Sequence, residues 1–239
     1  MGSEFSEKVV LVAGGTGGFG RAVSLAFLER GATVAVTWRH EDEFLALRNA
    51  AADRATRLSG FNVDVSDARQ TADLVNQIVS RSNRLDVLVN TVGGYAGGTP
   101  LWELEPEVFD RMIDLNLRAT YALAKSAVPP MLARKSGAIV NIASKAAWDH
   151  AAGASAYAAT KAAAVALIDS LAADLIGSGV RVNSILPSII DTEANRKAMP
   201  TADFSKWPKP EDIAEVVLFL SSDAARVIHG ASIPVFGNA

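Results

Sequence analysis

Short apolar runs alternate along this chain with longer stretches in which apolar residues recur every three or four positions. Val9-Val10-Leu11-Val12 reads as a buried strand, Arg21 to Arg30 as a helix stopped by Gly31, and Thr33 to Thr37 as a second strand. A third strand ends at Asn62-Val63-Asp64-Val65, followed by a helix from Ala68 to Ser82 and a strand from Leu85 to Val89. A long helical stretch then runs from Glu105 towards Ala133, and a strand spans Ala138 to Ile142. A helix bearing Tyr157 extends from Ala154 to Ile176, and further elements follow at Val180 to Leu186 (strand), Glu211 to Ser221 (helix) and Ala231 to Phe236 (strand). This alternation predicts an α/β fold: a doubly wound parallel sheet of the Rossmann kind, a single domain over residues 1–239, with ligands beyond the carboxyl ends of the strands. Thr192 to Pro208 mixes Pro, Lys, Asn and Trp just past one such end and is expected to be a mobile loop.

Composition narrows the function classes. With 239 residues, 49% of them hydrophobic, the chain can bury one large core. A formal charge of -3, from 23 basic and 26 acidic residues without long runs, gives no footprint for nucleic acid or an anionic membrane. There is no cysteine, and His40, His150 and His229 stand apart, so thiolate or clustered metal ligation is not expected. No apolar run reaches the roughly 20 residues that span a bilayer. Met1-Gly2-Ser3-Glu4-Phe5 lacks the regions of a signal peptide and reads in part as a cloning remnant outside the fold. The expectation is a cytoplasmic protein.

Two stretches carry candidate chemistry. The first strand runs into Gly14-Gly15-Thr16-Gly17-Gly18-Phe19-Gly20-Arg21, where glycines let the backbone approach a pyrophosphate met by the amides and dipole of the next helix. Alone, such a turn also fits an ordinary loop. Its place between strand and helix favours a nucleotide crevice, to which Asp64-Val65 and Asn90-Thr91-Val92-Gly93, at the ends of two further strands, also point. The second stretch runs from Ser144 to Lys161. On a helix, Tyr157 and Lys161 share one face, so the ammonium is expected to lower the phenol's pKa and ready it for proton exchange with a substrate oxygen that Ser144 holds. Taken alone, the pair reads as a solvated surface pair on a helix.

Together these residues resemble the short-chain dehydrogenases/reductases, in the group of about this chain length, over nearly the whole chain. Gly14-x-x-x-Gly18-x-Gly20 is similar to the family's phosphate turn, with Thr16 and Phe19 inside it. Asp64, followed by Val65, matches its adenine contact. Asn90 and Gly93 match its Asn-Asn-Ala-Gly motif. Asn116, Ser144, Tyr157 and Lys161 match its catalytic tetrad, with Ser144 and Tyr157 thirteen positions apart and Tyr157 and Lys161 four. Asn183, Pro187 and Thr192 fit the segment after the sixth strand, with Ile190 where backbone meets the nicotinamide carboxamide. Departures are Ala13 for Thr, Thr91 and Val92 for Asn and Ala, Ser188 for Gly, and Phe236-Gly237-Asn238 for Asp-Gly-Gly.

The resemblance implies an NAD(P)-dependent oxidoreductase in which Tyr157 is the acid/base, Ser144 fixes the oxygen, Lys161 binds ribose and Asn116 helps hold a water. It also implies a homo-oligomer, a tetramer or dimer, formed through the Tyr157 helix and the one before it. The alternative is a catalytically silent dinucleotide-binding sensor or scaffold on the same fold. Trp38, at the end of the second strand, cannot accept from a ribose hydroxyl, while the guanidinium of Arg39 suits a 2′-phosphate, so NADP is expected over NAD. Gly94, Tyr95, Ala146, Trp148, His150, Ser188 and Ile189 are expected around an apolar pocket for a carbonyl or alcohol, with a surface position also open to His150.

Overall fold

The structure, a computed structural model, describes residues 4–238. Seven strands, β1 (Val9–Ala13), β2 (Thr33–Trp38), β3 (Leu58–Asn62), β4 (Val87–Asn90), β5 (Gly137–Ile142), β6 (Val180–Pro187) and β7 (Ser232–Val235), form one parallel sheet. Their order is β3-β2-β1-β4-β5-β6-β7. The winding reverses between β1 and β4, where Ala13 is in register with Asn90, and this is where such folds open a crevice at the strand ends. Strands β1 and β4 are buried along their whole length because helices cover both faces, which is why they read as unbroken apolar runs.

Among the described residues, eight α-helices flank the sheet: α1 (Gly18–Glu29), α2 (Glu41–Ala51), α3 (Ala68–Ser82), α4 (Pro106–Met112), α5 (Ala119–Arg134), α6 (Ser155–Asp174), α7 (Glu193–Ala198) and α8 (Pro210–Ser221). Phe27, Leu28, Leu47, Val217 and Leu218 from α1, α2 and α8 pack with Val34, Val36 and Val140 on one face. Leu74, Leu123, Ile168 and Ala172 from α3, α5 and α6 pack with Leu11, Leu88, Ile139 and Val182 on the other. The described chain thus folds as expected, a doubly wound Rossmann sheet.

Several boundaries differ from the sequence reading. Helix α2 was not expected: only Leu47 and Ala51 are buried on it, so its periodicity is faint, although Glu41, Asp42 and Glu43 suit the positive end of a helix dipole. Helix α1 begins at Gly18, not Arg21, and β3 ends at Asn62, short of Val65. The Glu105 to Ala133 stretch is α4 and α5 joined by a π turn at Ile113–Arg118. The segment from Thr192 is more regular than its composition suggests, because the Thr192 hydroxyl caps α7 and Arg196 bonds Asp191 and lies over the Phe204 ring. Met1–Ser3 lie outside the described residues, but Phe5 is buried edge-on against Phe27, centroids 5.0 Å apart, and belongs to the core rather than to a remnant. Helix α6, with a mean hydropathy of 1.2, is long and apolar enough to cross a membrane by length and composition alone, although Lys161 and Asp169 interrupt its apolar residues. Alanines account for that value, and the helix packs Ile168 and Ala172 into the core against the sheet.

Candidate active site

Strand β5 ends at Ile142, and Ser144 starts a short 3-10 turn, Lys145–Ala147, whose Ala146 N–H donates to the Ser144 hydroxyl oxygen at 3.1 Å. Tyr157 and Lys161 lie in the first turns of α6, whose small residues let it sit close to this strand end. Lys161 is buried, and its Nζ donates to the Ile142 carbonyl at 3.1 Å. One strand terminus therefore positions both the serine hydroxyl and the lysine. The Tyr157 phenol faces Ser144, and the ring of Tyr95 meets it edge-on at 5.0 Å.

Electrostatics here corrects one expectation. Burial raises the Tyr157 pKa above the ordinary 10.0, the facing Ser144 hydroxyl works the other way, and Tyr95 adds to the rise. Burial also lowers Lys161 from 10.5 to about 8. Both groups lose water, which disfavours the charged form of each. The phenol is thus held in its protonated form, not drawn down by the ammonium as the sequence spacing suggested.

Asn116 sits in the π turn, a register break of a kind that often marks functional positions. Its Oδ1 accepts from the Gly94 N–H at 3.0 Å, while its Nδ2 donates to the Gly94 carbonyl at 3.0 Å and to Thr160 Oγ1 at 3.1 Å. The side chain therefore ties the turn after β4 to α6. Gly93 is needed there for space, since a Cβ would lie 2.9 Å from Lys161 Nζ and 3.0 Å from Asn116 Oδ1. Asn90 is likewise part of the frame: its Nδ2 donates to Thr120 Oγ1 and Asn141 Oδ1, and its Oδ1 accepts from the Val92 N–H. With both ends of its side chain bonded, Asn90 braces the strand end from which Thr91, Val92 and Gly93 line the crevice. Thr120, Asn141 and Thr160 were not anticipated; Asn141, a polar residue inside an apolar strand, was the legible sign of a buried partner.

At the switch point, a cleft of about 290 Å³ is lined by Gly14, Thr16, Gly17, Thr37, Trp38, Arg39, His40, Glu43, Val65, Gly93 and Leu115. Gly14 has φ +74, and a Cβ on Gly20 would fall 2.1 Å from the Gly14 carbonyl, so the turn folds this tightly only with glycine. Its Gly14 N–H donates to Thr37 Oγ1 at 2.8 Å, and Thr91 Oγ1 donates to the Ala13 carbonyl at 2.6 Å, which gives the departure at Thr91 a supporting role. Phe19 packs into the core, and Thr192 comes against Gly18 from the far side. Asp64 accepts from the Ser66 hydroxyl and amide, which together with Arg39 hold its carboxyl below the usual range. Arg39, 60% exposed, has Asp64 as its paired acid at 3.9 Å rather than Glu41 or Asp42. Trp38 stacks near Phe44, and its buried indole N–H has no partner. A glycine cradle opening on α1, with a guanidinium at its other end, fits the phosphates and ribose of a dinucleotide in chemistry.

On the substrate side, Tyr95 (69%), Trp148 (51%) and Ile189 (39%) are exposed, Tyr95 against the Tyr157 ring, with Ala146 beside Ser144. His150 is a surface residue with Nε2 3.4 Å from the Ala147 carbonyl. Two expected pocket residues are engaged elsewhere: Gly94 has both backbone groups on Asn116, and Ser188 donates to the Phe236 carbonyl at 2.7 Å. The Ile190 carbonyl accepts from the Thr192 N–H and Asn195 Nδ2, while Pro187 closes β6 in register with Val235. A larger concavity, about 390 Å³, lies at the opposite ends of the strands near Lys8, Arg181 and His229, away from this centre.

Comparison with known proteins agrees with this geometry. Residues 8–203 match the family described as short chain dehydrogenase. The chain is 30% identical to a 3-oxoacyl-[acyl-carrier-protein] reductase, FabG, of Thermotoga maritima, across 96% of each sequence. It is 35% identical to a D-threitol dehydrogenase of Mycolicibacterium smegmatis, across 96% of this chain and 92% of the relative. The solved structure described as ElxO with NADP bound superposes with a TM-score of 0.90 at 29% identity, covering 96% of this chain and 97% of the other. With a matching sheet order, motif order and near full-length likeness, the chain belongs to the short-chain dehydrogenase family of oxidoreductases.

Proposed function

We propose that this protein interconverts a small-molecule carbonyl compound and its alcohol using NADP(H) in preference to NAD(H), with Tyr157 as general acid/base. The observation that carries the reading is the convergence of the Ser144 hydroxyl, the Tyr157 phenol and Lys161 at the end of β5, with Gly93 lining the cleft so near Lys161 that a Cβ there would lie 2.9 Å from Nζ. The nicotinamide cofactor, when bound, supplies or accepts the hydride. The turn from Gly14 to Gly20, Asp64, Val65, Gly93, Lys161, Pro187, Ile190 and Thr192 are the residues that would hold it. Ser144 orients the substrate oxygen, and Tyr157, kept protonated by burial, donates its proton as that oxygen gains charge. Lys161, buried behind this face with a pKa of about 8, offers positive charge to the phenolate left behind. NADP preference is supported by Trp38, a donor only, and by an Arg39 guanidinium that is largely exposed.

The relatives' printed names, a reductase of 3-oxoacyl groups and a polyol dehydrogenase, support a carbonyl/alcohol substrate without selecting one. Exposed Phe109, Tyr121 and Leu132 on α4 and α5 support assembly with further copies of the chain, to a tetramer or dimer. A turnover panel of ketones, aldehydes and secondary alcohols with both cofactors tests the reading. Hydride transfer with at least one compound is expected; tight cofactor binding with no turnover across the panel would favour the sensor.

A further inference from the structure

The ribose end of the cleft holds a carboxylate as well as a guanidinium. Glu43, in the first turn of α2, accepts from the Thr16 hydroxyl at 2.9 Å, a contact that crosses from α2 to the glycine turn. Both residues line the cleft, together with Trp38, Arg39 and His40. Glu41 and Asp42 precede Glu43 in the same turn, and Asp64 faces Arg39 at 3.9 Å, so this end is not a basic pocket with one unopposed arginine.

From this arrangement we infer that Glu43 is a specificity-determining residue for the cofactor, tempering the preference that Arg39 creates; the inference rests on the cleft being the dinucleotide site. A carboxylate accepts hydrogen bonds from a ribose diol but repels a 2′-phosphate, which carries up to two negative charges at neutral pH. Glu43 has a place to go when phosphate enters, since its carboxylate lies on an exposed helix turn and is held by the Thr16 hydroxyl alone among the described hydrogen bonds. Arg39 draws the phosphate in and Glu43 sets a counterweight, giving an enzyme that accepts both cofactors with a moderate bias toward NADP. The acid escapes a reading based on the end of β2 because it stands beyond that strand, on a helix whose faint periodicity conceals it.

Calorimetric titration of the whole protein with 2′,5′-ADP and 5′-ADP, fragments that undergo no hydride transfer, tests this without reference to turnover. NADPH and NADH are titrated alongside. In Glu43→Gln the ratio of affinities should move toward the 2′-phosphorylated ligand by about tenfold, the scale of one partly screened like charge, and the gain should shrink in high salt. Glu43→Lys should move it further in the same direction. If the parent binds both cofactors and both variants keep its ratio within twofold, Glu43 does not read the 2′ position, although the cleft remains the dinucleotide site. If the parent binds none of the four ligands, the dinucleotide reading fails and this inference falls with it.

Discussion

Asn116 Nδ2 and Thr160 Oγ1 meet at 3.1 Å, and that contact joins the π turn between α4 and α5 to the helix carrying Tyr157 and Lys161. Thr160 passes the connection on by donating to the Tyr157 carbonyl at 2.9 Å, while Asn116 also holds both backbone groups of Gly94. Asn116→Leu strands those partners in a buried site. A loss of about 2–4 kcal/mol in urea unfolding is expected, with turnover falling alongside, because each unmatched buried group costs about 1–3 kcal/mol. Full stability with lost turnover would show that Asn116 acts on the chemistry alone.

Gly93→Ala should leave the fold intact and disturb the centre. Its new methyl group would meet Lys161 Nζ at 2.9 Å, and the long lysine side chain, rather than the backbone, is what gives way. Turnover should drop about 10- to 100-fold, as expected when a catalytic group is displaced by about 1 Å. Steady-state kinetics with a matched circular dichroism spectrum checks this, and turnover within twofold of the parent would contradict it.

The buried ammonium of Lys161 destabilises the folded protein at neutral pH. Its pKa is about 8 when folded against 10.5 for the free side chain, so below pH 8 the folded state carries the whole desolvation cost, about 3 kcal/mol. Between pH 8 and 10.5 the unfolded chain keeps a proton that the folded chain has released, and this contribution makes stability rise with pH. Tyr157, shifted upward, acts with the opposite sign only above its ordinary value of 10.0, so pH 7 to 9.5 isolates the lysine. Lys161→Met should therefore be more stable than the parent at pH 7, with a margin that narrows toward pH 9.5, and inactive throughout. Denaturant midpoints across that range report the difference; a variant less stable at pH 7 would refute the account.

The strands and the glycine turn were legible because their signals are local: continuous apolar runs, and glycines where a Cβ meets backbone at 2.1 Å. The spacing of Tyr157 and Lys161 likewise placed both on one helix. What the sequence hid depends on contacts distant in the chain. The Asn90 side chain bonds Thr120 and Asn141, residues 30 and 51 positions away. The direction of the Tyr157 shift was missed because burial, which spacing does not report, is its largest cause. Helix α2, with Glu43 on it, was missed because two buried residues make too weak a stripe.

In the proposed reaction Tyr157 moves the proton. Tyr157→Phe keeps the ring that meets Tyr95 edge-on and removes only the hydroxyl facing Ser144. Measured on the best substrate of the panel, with cofactor affinity determined separately by fluorescence titration, turnover should fall by about three orders of magnitude or more while the cofactor dissociation constant stays within a few-fold of the parent. Near-parental turnover in this variant would contradict the account.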